Sequence, residues 1–225
     1  MSKIRGYLIL IQFSITVAIT IALMYIFKKH QHKIIKFWMK IEIALLGITL
    51  EETGSLDTSC DMVMMNHQSL IDIIIIEHIH EKHLAWVAKK EIADLFLFGH
   101  IIKAPKMISI DREDKSGIVT LLKETKDRLS KGRPIAIFPE GTRSNGRKIS
   151  KFKFGAKMVA DRHKLKVQPI VLVNTRSILD SKTLKATPGV VKIIYLDPVQ
   201  ADKKSDWLKE SENKMREILE RELDT

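Results

Sequence analysis

Cysteine is almost absent: Cys60 is the single one in 225 residues, which excludes an intramolecular disulfide and any multi-cysteine metal site and fits a reducing compartment. Histidine does not take up the metal role. His78, His80 and His83 flank or end an apolar helical pattern without the second-ligand spacing that zinc requires, and they read as surface and helix-end residues. Aromatic residues make up 6% of the chain, basic residues are dispersed, and no base-stacking motif or groove-reading helix stands out, so a nucleic-acid partner is disfavoured. Internal repeats and low-complexity tracts are missing as well. What is in excess is positive charge, +11 with a pI near 9.6, and it calls for an anionic partner. The length suits one well-filled domain plus an appendage.

Charge of either sign is missing from Gly6 to Phe27. As a helix this segment is roughly 33 Å long against a hydrocarbon core of about 30 Å, so it is able to span a bilayer. It is too long for a signal-peptide core, and no small-residue cleavage site follows it. Lys3 and Arg5 precede it and Lys28, Lys29, Lys33, Lys36 and Lys40 follow it, a bias that favours a cytoplasmic position for the rest of the chain. Residues 34–50 place Ile34, Ile35, Phe37, Trp38, Ile41, Ala44, Leu45 and Ile48 on one side of a helix, with lysines in reach of lipid phosphates. A spanning helix over 6–27 plus a basic interfacial helix over 34–50 is one solution. A helical hairpin dipped into one leaflet is the other. Residues 1–50 thus read as a membrane anchor with anionic lipid as its partner, and residues 51–225 as a separate domain.

That domain has the pattern of an α/β protein. Strand candidates are 61–66, 83–88, 107–110, 134–138, 167–173 and 190–195, several of them continuous Val/Ile runs of the doubly buried type. Helical patterns lie between them: Leu70–Ile79, a helix through Ile118 and Leu129 that stops at Gly132, Phe152–Lys164, and an amphipathic terminal helix from Trp207 to Leu223. The alternation implies a largely parallel sheet with helices on both faces, preceded by the membrane helices, and a site at the strand carboxyl ends.

Two strand ends carry chemistry. Asn66-His67-Gln68-Ser69-Leu70-Ile71-Asp72 places a histidine in the turn after a buried strand and an aspartate in the first turn of the next helix. Within one continuous helix an i,i+5 pair is rotated by roughly 140° and cannot meet; across a strand-turn-helix corner it can, as a general base and its orienting carboxylate. The same residues also fit a capped helix start, with Ser69 as N-cap and Asp72 as its carboxylate partner. The second end is Phe138-Pro139-Glu140-Gly141-Thr142-Arg143-Ser144, where Gly141 allows a tight turn and Arg143 presents a fork suited to phosphate. A charged glycine-containing loop is also often only a solvated connection.

Together these segments resemble the glycerolipid acyltransferase family, in particular its 1-acylglycerol-3-phosphate O-acyltransferases, over roughly residues 60–175. The His-x4-Asp block is intact as His67 to Asp72, and the Phe-Pro-Glu-Gly-Thr-Arg-Ser block as Phe138 to Ser144. Between them, Lys106-Met107-Ile108-Ser109-Ile110-Asp111-Arg112 keeps the Ile-Asp-Arg ending but has Lys106 and Ser109 where glycine and phenylalanine are usual. The hydrophobic block at 167–173 lacks a second proline.

The resemblance implies direct acyl transfer from acyl-CoA or acyl-carrier-protein as co-substrate to a lysophospholipid acceptor, with neither metal nor cofactor. It also implies a bilayer location with the domain on the cytoplasmic face, of the bacterial inner membrane if the source is prokaryotic. His67 is then the base for the acceptor's 2-hydroxyl and Asp72 the group that fixes its tautomer. Arg112, Arg143 and Lys89 are the candidate phosphate ligands. Glu140, with Gly141 and Thr142, contacts the acceptor or shapes the loop. Lys106 adds to the phosphate site or is simply exposed. Backbone amides near Gly141 or Ser69 are candidate oxyanion donors, and Cys60 has no evident role. Same-family transfer to glycerol 3-phosphate, another lysophospholipid or an ornithine lipid, and a non-catalytic membrane lipid-binding protein, are the alternatives.

Overall fold

The computed structural model describes residues 2–111, 114 and 116–224. The chain begins with two helices, α1 (Ser2–Ile26) and α2 (Gln31–Leu46), joined by one tight turn at Lys28–His30. Gly47 ends α2: its φ of 67° is a left-handed value that glycine adopts without strain, and its N–H returns to the Ala44 carbonyl. Strand β1 (Ile48–Thr53) follows at once. Next come β2 (Met62–Met65), α3 (Ile71–Ile79) and β3 (Ala85–Lys89), then two short helices, α4 (Lys90–Ala93) and α5 (His100–Lys103). They lead to β4 (Ile108–Ile110), α6 (Ser116–Ser130), β5 (Ile135–Ile137), α7 (Phe154–His163) and β6 (Lys166–Val173). A short helix α8 (Thr175–Ile178), a small hairpin β7 (Leu179–Asp180) and β8 (Lys185–Ala186), then β9 (Gly189–Tyr195), β10 (Val199–Gln200) and α9 (Trp207–Leu223) complete the fold.

The main sheet has the order β1-β9-β6-β2-β5-β3-β4, with β10 also paired to β6. Its five neighbours β6, β2, β5, β3 and β4 are mutually parallel, whereas β9 runs antiparallel to β6. All six expected strands are present, and the sheet is mostly parallel with helices on both faces. Period-two alternation decides which side chain enters which layer. Val63 and Met65 pack with α1, α2 and α3, while Met62 and Met64 pack with α6, α7 and α9.

The amino-terminal part differs from the expectation of a helix over 34–50 set apart from the domain. That helix stops at Leu46, and Ile48–Thr53 pairs in parallel with β9 as an edge of the sheet. Nor does α1 stand away from the rest. Near its start Arg5 donates to the Leu46 carbonyl at 2.8 Å, and near its end the Tyr25 hydroxyl lies 2.6 Å from His100 Nδ1. Gly6 lets α1 touch the β7–β8 hairpin, since a Cβ there would sit 1.9 Å from the Leu184 carbonyl oxygen. Val17, Ile21 and Met24 join the same core as α3. Between α1 and α2, Glu42 Oε1 accepts from Gln12, Thr16 and Trp38 at 2.8, 2.7 and 2.9 Å. The other side of α1 exposes Ile4, Leu8, Ile11, Ile15 and Ile19, a stripe with nearly i,i+4 spacing. By length and composition α1 is apolar enough to cross a membrane.

Two of the histidines read as surface residues are also packed inside. His80 is buried, and His83 stacks on His32 with ring centroids 4.7 Å apart. Burial, helped by Arg133, holds the His83 imidazole down to about 3. The reason is α2, which packs on α3: its Lys36 Nζ donates to the His80 carbonyl at 2.9 Å, just past the end of α3, and its His32 supplies the ring under His83.

Candidate active site

The parallel register places the chemistry. Met64 of β2 pairs with Ile137 of β5, and Trp86 of β3 pairs with Ala136, so His67, Glu140 and Lys89 stand together at the carboxyl ends of three neighbouring parallel strands. Arg112 follows the next strand, β4, and lies outside the described residues.

His67 is held by three contacts. Its Nδ1 lies 2.7 Å from Asp72 Oδ2, its ring stacks on Phe138 with centroids 3.8 Å apart, and its backbone N–H donates to Glu140 Oε1 at 2.8 Å. Asp72 is fully buried and is itself fixed, because Oδ2 also accepts from the backbone N–H groups of Gln68 and Ser69 at 2.7 and 2.8 Å. With Nδ1 facing the carboxylate, Nε2 is the ring nitrogen left for the groove that His67 lines. A neutral imidazole so oriented is able to take a proton at Nε2 while Asp72 stabilises the resulting imidazolium.

The capping reading holds in half. Asp72 accepts from the Ser69 N–H, as a box carboxylate does, but the Ser69 hydroxyl donates to the Leu179 carbonyl instead and the helix proper begins at Ile71. Of the backbone amides near Gly141 and the helix start at Ser69, the Ser69 N–H donates to Asp72 and the Gly141 N–H to the Phe138 carbonyl.

Glu140 is almost wholly buried, and both its oxygens bind backbone, Oε1 at His67 and Oε2 at the Ser150 N–H, 2.7 Å away. Burial raises its carboxyl above the usual range while those amides oppose the shift. The Ser144 N–H adds a bond to the His67 carbonyl. These contacts sew the loop after β5 to the corner after β2, so the geometry of Glu140 is that of a loop-shaping group.

Two positioning residues escaped the sequence reading. The Asn66 amide is buried and bonds both the N–H and the carbonyl of Leu172, extending the β2–β6 ladder one residue past the strand, and the Gln68 amide reaches the same carbonyl at 3.0 Å. A pair of amides bracketing a histidine at a strand end was the signal available.

His67, Thr142, Arg143 and Lys89 open onto one groove of about 340 Å³, walled by apolar residues of α2, α3, β3 and α5. Arg143 is exposed and donates to Ser181 Oγ at 2.7 Å; Lys89 pairs with Glu91 at the groove's mouth. Cations therefore stand at the His67 end, and the rest is mostly hydrocarbon, with Glu77 of α3 among it. Cys60 is buried before β2, at the other end of that strand from His67, and burial pushes its thiol up to about 11, which makes it a poor nucleophile near neutral pH. Lys106 is exposed, with φ of 53°. The backbone there keeps the left-handed turn that suits a glycine, so the departure from the usual residue changes the side chain and not the turn.

The pattern of the Acyltransferase family matches residues 58–173, from just before β2 to the end of β6. A 1-acyl-sn-glycerol-3-phosphate acyltransferase of Helicobacter pylori is 43% identical over 175 residues, covering 77% of this chain and 74% of that protein. One from Cocos nucifera is 31% identical over 173 residues, 76% of this chain and 55% of its own length. Among solved structures, the 1-acyl-sn-glycerophosphate (LPA) acyltransferase PlsC of Thermotoga maritima has a TM-score of 0.72, covers 100% of this chain and 97% of its own, and at 21% identity speaks for the fold. By these matches the chain belongs to the glycerolipid acyltransferase family and is an enzyme of its 1-acyl-sn-glycerol-3-phosphate acyltransferase group.

Proposed function

We propose that the enzyme transfers a fatty acyl group from acyl-CoA or acyl-carrier-protein to the 2-hydroxyl of 1-acylglycerol 3-phosphate, giving phosphatidic acid. The observation that carries this reading is the His67–Asp72 pair at the cationic end of a largely apolar groove. His67 Nε2 removes the hydroxyl proton as the oxygen attacks the thioester carbonyl. The tetrahedral intermediate then collapses, the carbon–sulfur bond breaks, and the imidazolium returns the proton to the leaving thiolate. Asp72 holds the ring and never leaves it. Arg143 and Lys89, together with Arg112, bind the phosphomonoester, and the apolar walls receive an acyl chain.

The enzyme works at a membrane surface, on the cytoplasmic face. Contacts near both ends of α1 with the rest of the chain favour a hairpin lying in one leaflet over a helix standing across the bilayer. The exposed stripe of α1 faces lipid, and the lysines of residues 28–40 meet anionic head groups. Thiol release from the acyl thioester, followed in detergent micelles with and without lysophosphatidic acid, tests the reaction. Release should depend on that acceptor. Release that ignores it, or a preference for glycerol 3-phosphate or a lyso-ornithine lipid, overturns the assignment.

A further inference from the structure

The groove at His67 shares its rim with a second one. Val87, Phe138 and Gly141 line both, but the second, of about 380 Å³, lies on the other face of the sheet, where Ile137, Leu121 and Ala156 join the core under α6 and α7. The two meet at the carboxyl ends of β3 and β5, the crevice in which an open parallel sheet holds its ligands. Gly155, in the first turn of α7, belongs to the second wall. The groove's other glycines have local reasons: a Cβ on Gly117 would sit 1.9 Å from the Asp111 carbonyl oxygen, and Gly141 has a left-handed φ of 71°. Gly155 has neither. A Cβ there would meet nothing within 4 Å, although alanine is favoured over glycine inside a helix by roughly 0.5–1 kcal/mol. The residue withholds a side chain from space that no other group fills. Beside that space Lys153 brings a cation to the rim, its Nζ lying 3.1 Å from the position a Gly141 Cβ would take.

We propose that this second groove binds the pantetheine arm on which the acyl donor carries its thioester, an inference that rests on the acyl-transfer reading. In direct transfer donor and acceptor occupy the site together, and two arms leave the thioester carbon beside His67: the alkyl chain and the thiol arm. The thiol arm bears amides, and an amide buried without a partner costs about 1–3 kcal/mol, so the largely apolar groove suits it poorly. The second groove sets Asp111, Asp114 and Lys153 beside Ile110, Ile118 and Leu121, the mixture that a chain of amides and methyl groups requires. Coenzyme A and acyl-carrier-protein present the same arm, so the groove serves either carrier.

Gly155→Trp and Ile118→Trp fill the groove from two different helices, so the test survives if one of them fails to fold; Val119→Trp, at an exposed position of α6 outside the groove, is the control. Kinetics are measured with acyl-CoA, with acyl-carrier-protein and with an acyl N-acetylcysteamine thioester, which lacks most of the arm, each against lysophosphatidic acid. The full donor with the higher kcat/KM in the wild type identifies the carrier. Both groove variants should raise KM for that donor roughly tenfold or more. KM for lysophosphatidic acid and turnover of the truncated thioester should stay nearly unchanged, and Val119→Trp should match the wild type throughout. A rise in KM for lysophosphatidic acid instead assigns the groove to the acceptor and overturns the proposal. An unchanged donor KM, or an equal loss with truncated and full donors, overturns it as well, since a merely structural role treats every donor alike. Absence of acceptor-dependent transfer in the wild type overturns the acyl-transfer reading instead.

Discussion

His67 owes its orientation to residues whose contributions are unequally visible in a sequence. Asp72 is five positions away and was legible, because a strand-turn-helix corner is a local geometry. Glu140 acts from 73 positions away through a backbone N–H, and no side-chain pattern announces that its carboxyl is spent on amides. For Asp72→Asn, the amide no longer stabilises an imidazolium, and kcat should fall by about 10²- to 10⁴-fold with both KM values nearly unchanged. Steady-state kinetics decide it, and a rise in KM alone would assign Asp72 to binding. Lys106 gives a second prediction. Its left-handed backbone costs about 1–2 kcal/mol for a residue with a Cβ, offset by roughly 0.5–1 kcal/mol of extra chain entropy for glycine. Lys106→Gly should therefore raise stability by about 1 kcal/mol or less in urea unfolding; a loss would mean that the lysine side chain contributes more than its turn costs.

Elements were legible where burial on both faces left a continuous apolar run, as in Met62–Met65 and Ile170–Val173, and less so at the sheet's rim. Ile48–Thr53 alternates half-buried and exposed residues only at its start, and its apolar positions continue the stripe of α2, so it reads as more helix. Gly47 was the overlooked stop. Because β1 pairs with β9, which arrives some 140 residues later, only the finished sheet reveals it as a strand. The close approach of α1 to the β7–β8 hairpin is likewise a contact between distant segments, and it makes Gly6 a sensitive position. Gly6→Val should displace α1 at a cost of about 1–3 kcal/mol, seen as a lower unfolding midpoint and faster proteolysis near residue 27. Unchanged values would show that the hairpin moves aside freely.

For the whole molecule, the layer of α1, α2 and α3 contains buried ionisable groups whose protonation is coupled to folding. Glu77 ionises at about 4.5 when unfolded and at about 7 when folded. Below 4.5 it is protonated in both states; between 4.5 and 7 only the unfolded chain releases the proton. Stability contributed by the protonated carboxyl is thus lost as pH rises through that window, by about 3 kcal/mol in full. Glu77→Gln should lack this slope, so the wild type loses about 3 kcal/mol more than the variant between pH 4.5 and 7.5. Parallel curves from denaturant titrations at the two pH values would contradict it. His83 has the opposite sign, destabilising the fold as pH falls below its unfolded value, and cancels in the comparison. The Glu42 junction bears on how such an enzyme is handled at the bench. Cutting away a hydrophobic leader is the usual way to turn a membrane enzyme into a soluble one. Here the leader supplies two of the three donors to a buried carboxylate, and Val17, Ile21 and Met24 besides. A chain shortened to start after Phe27 would keep its His67 corner yet expose the inner face of α2 and strand Glu42 beside it, so solubility is better sought by recoding the outward stripe of α1 than by deleting the helix.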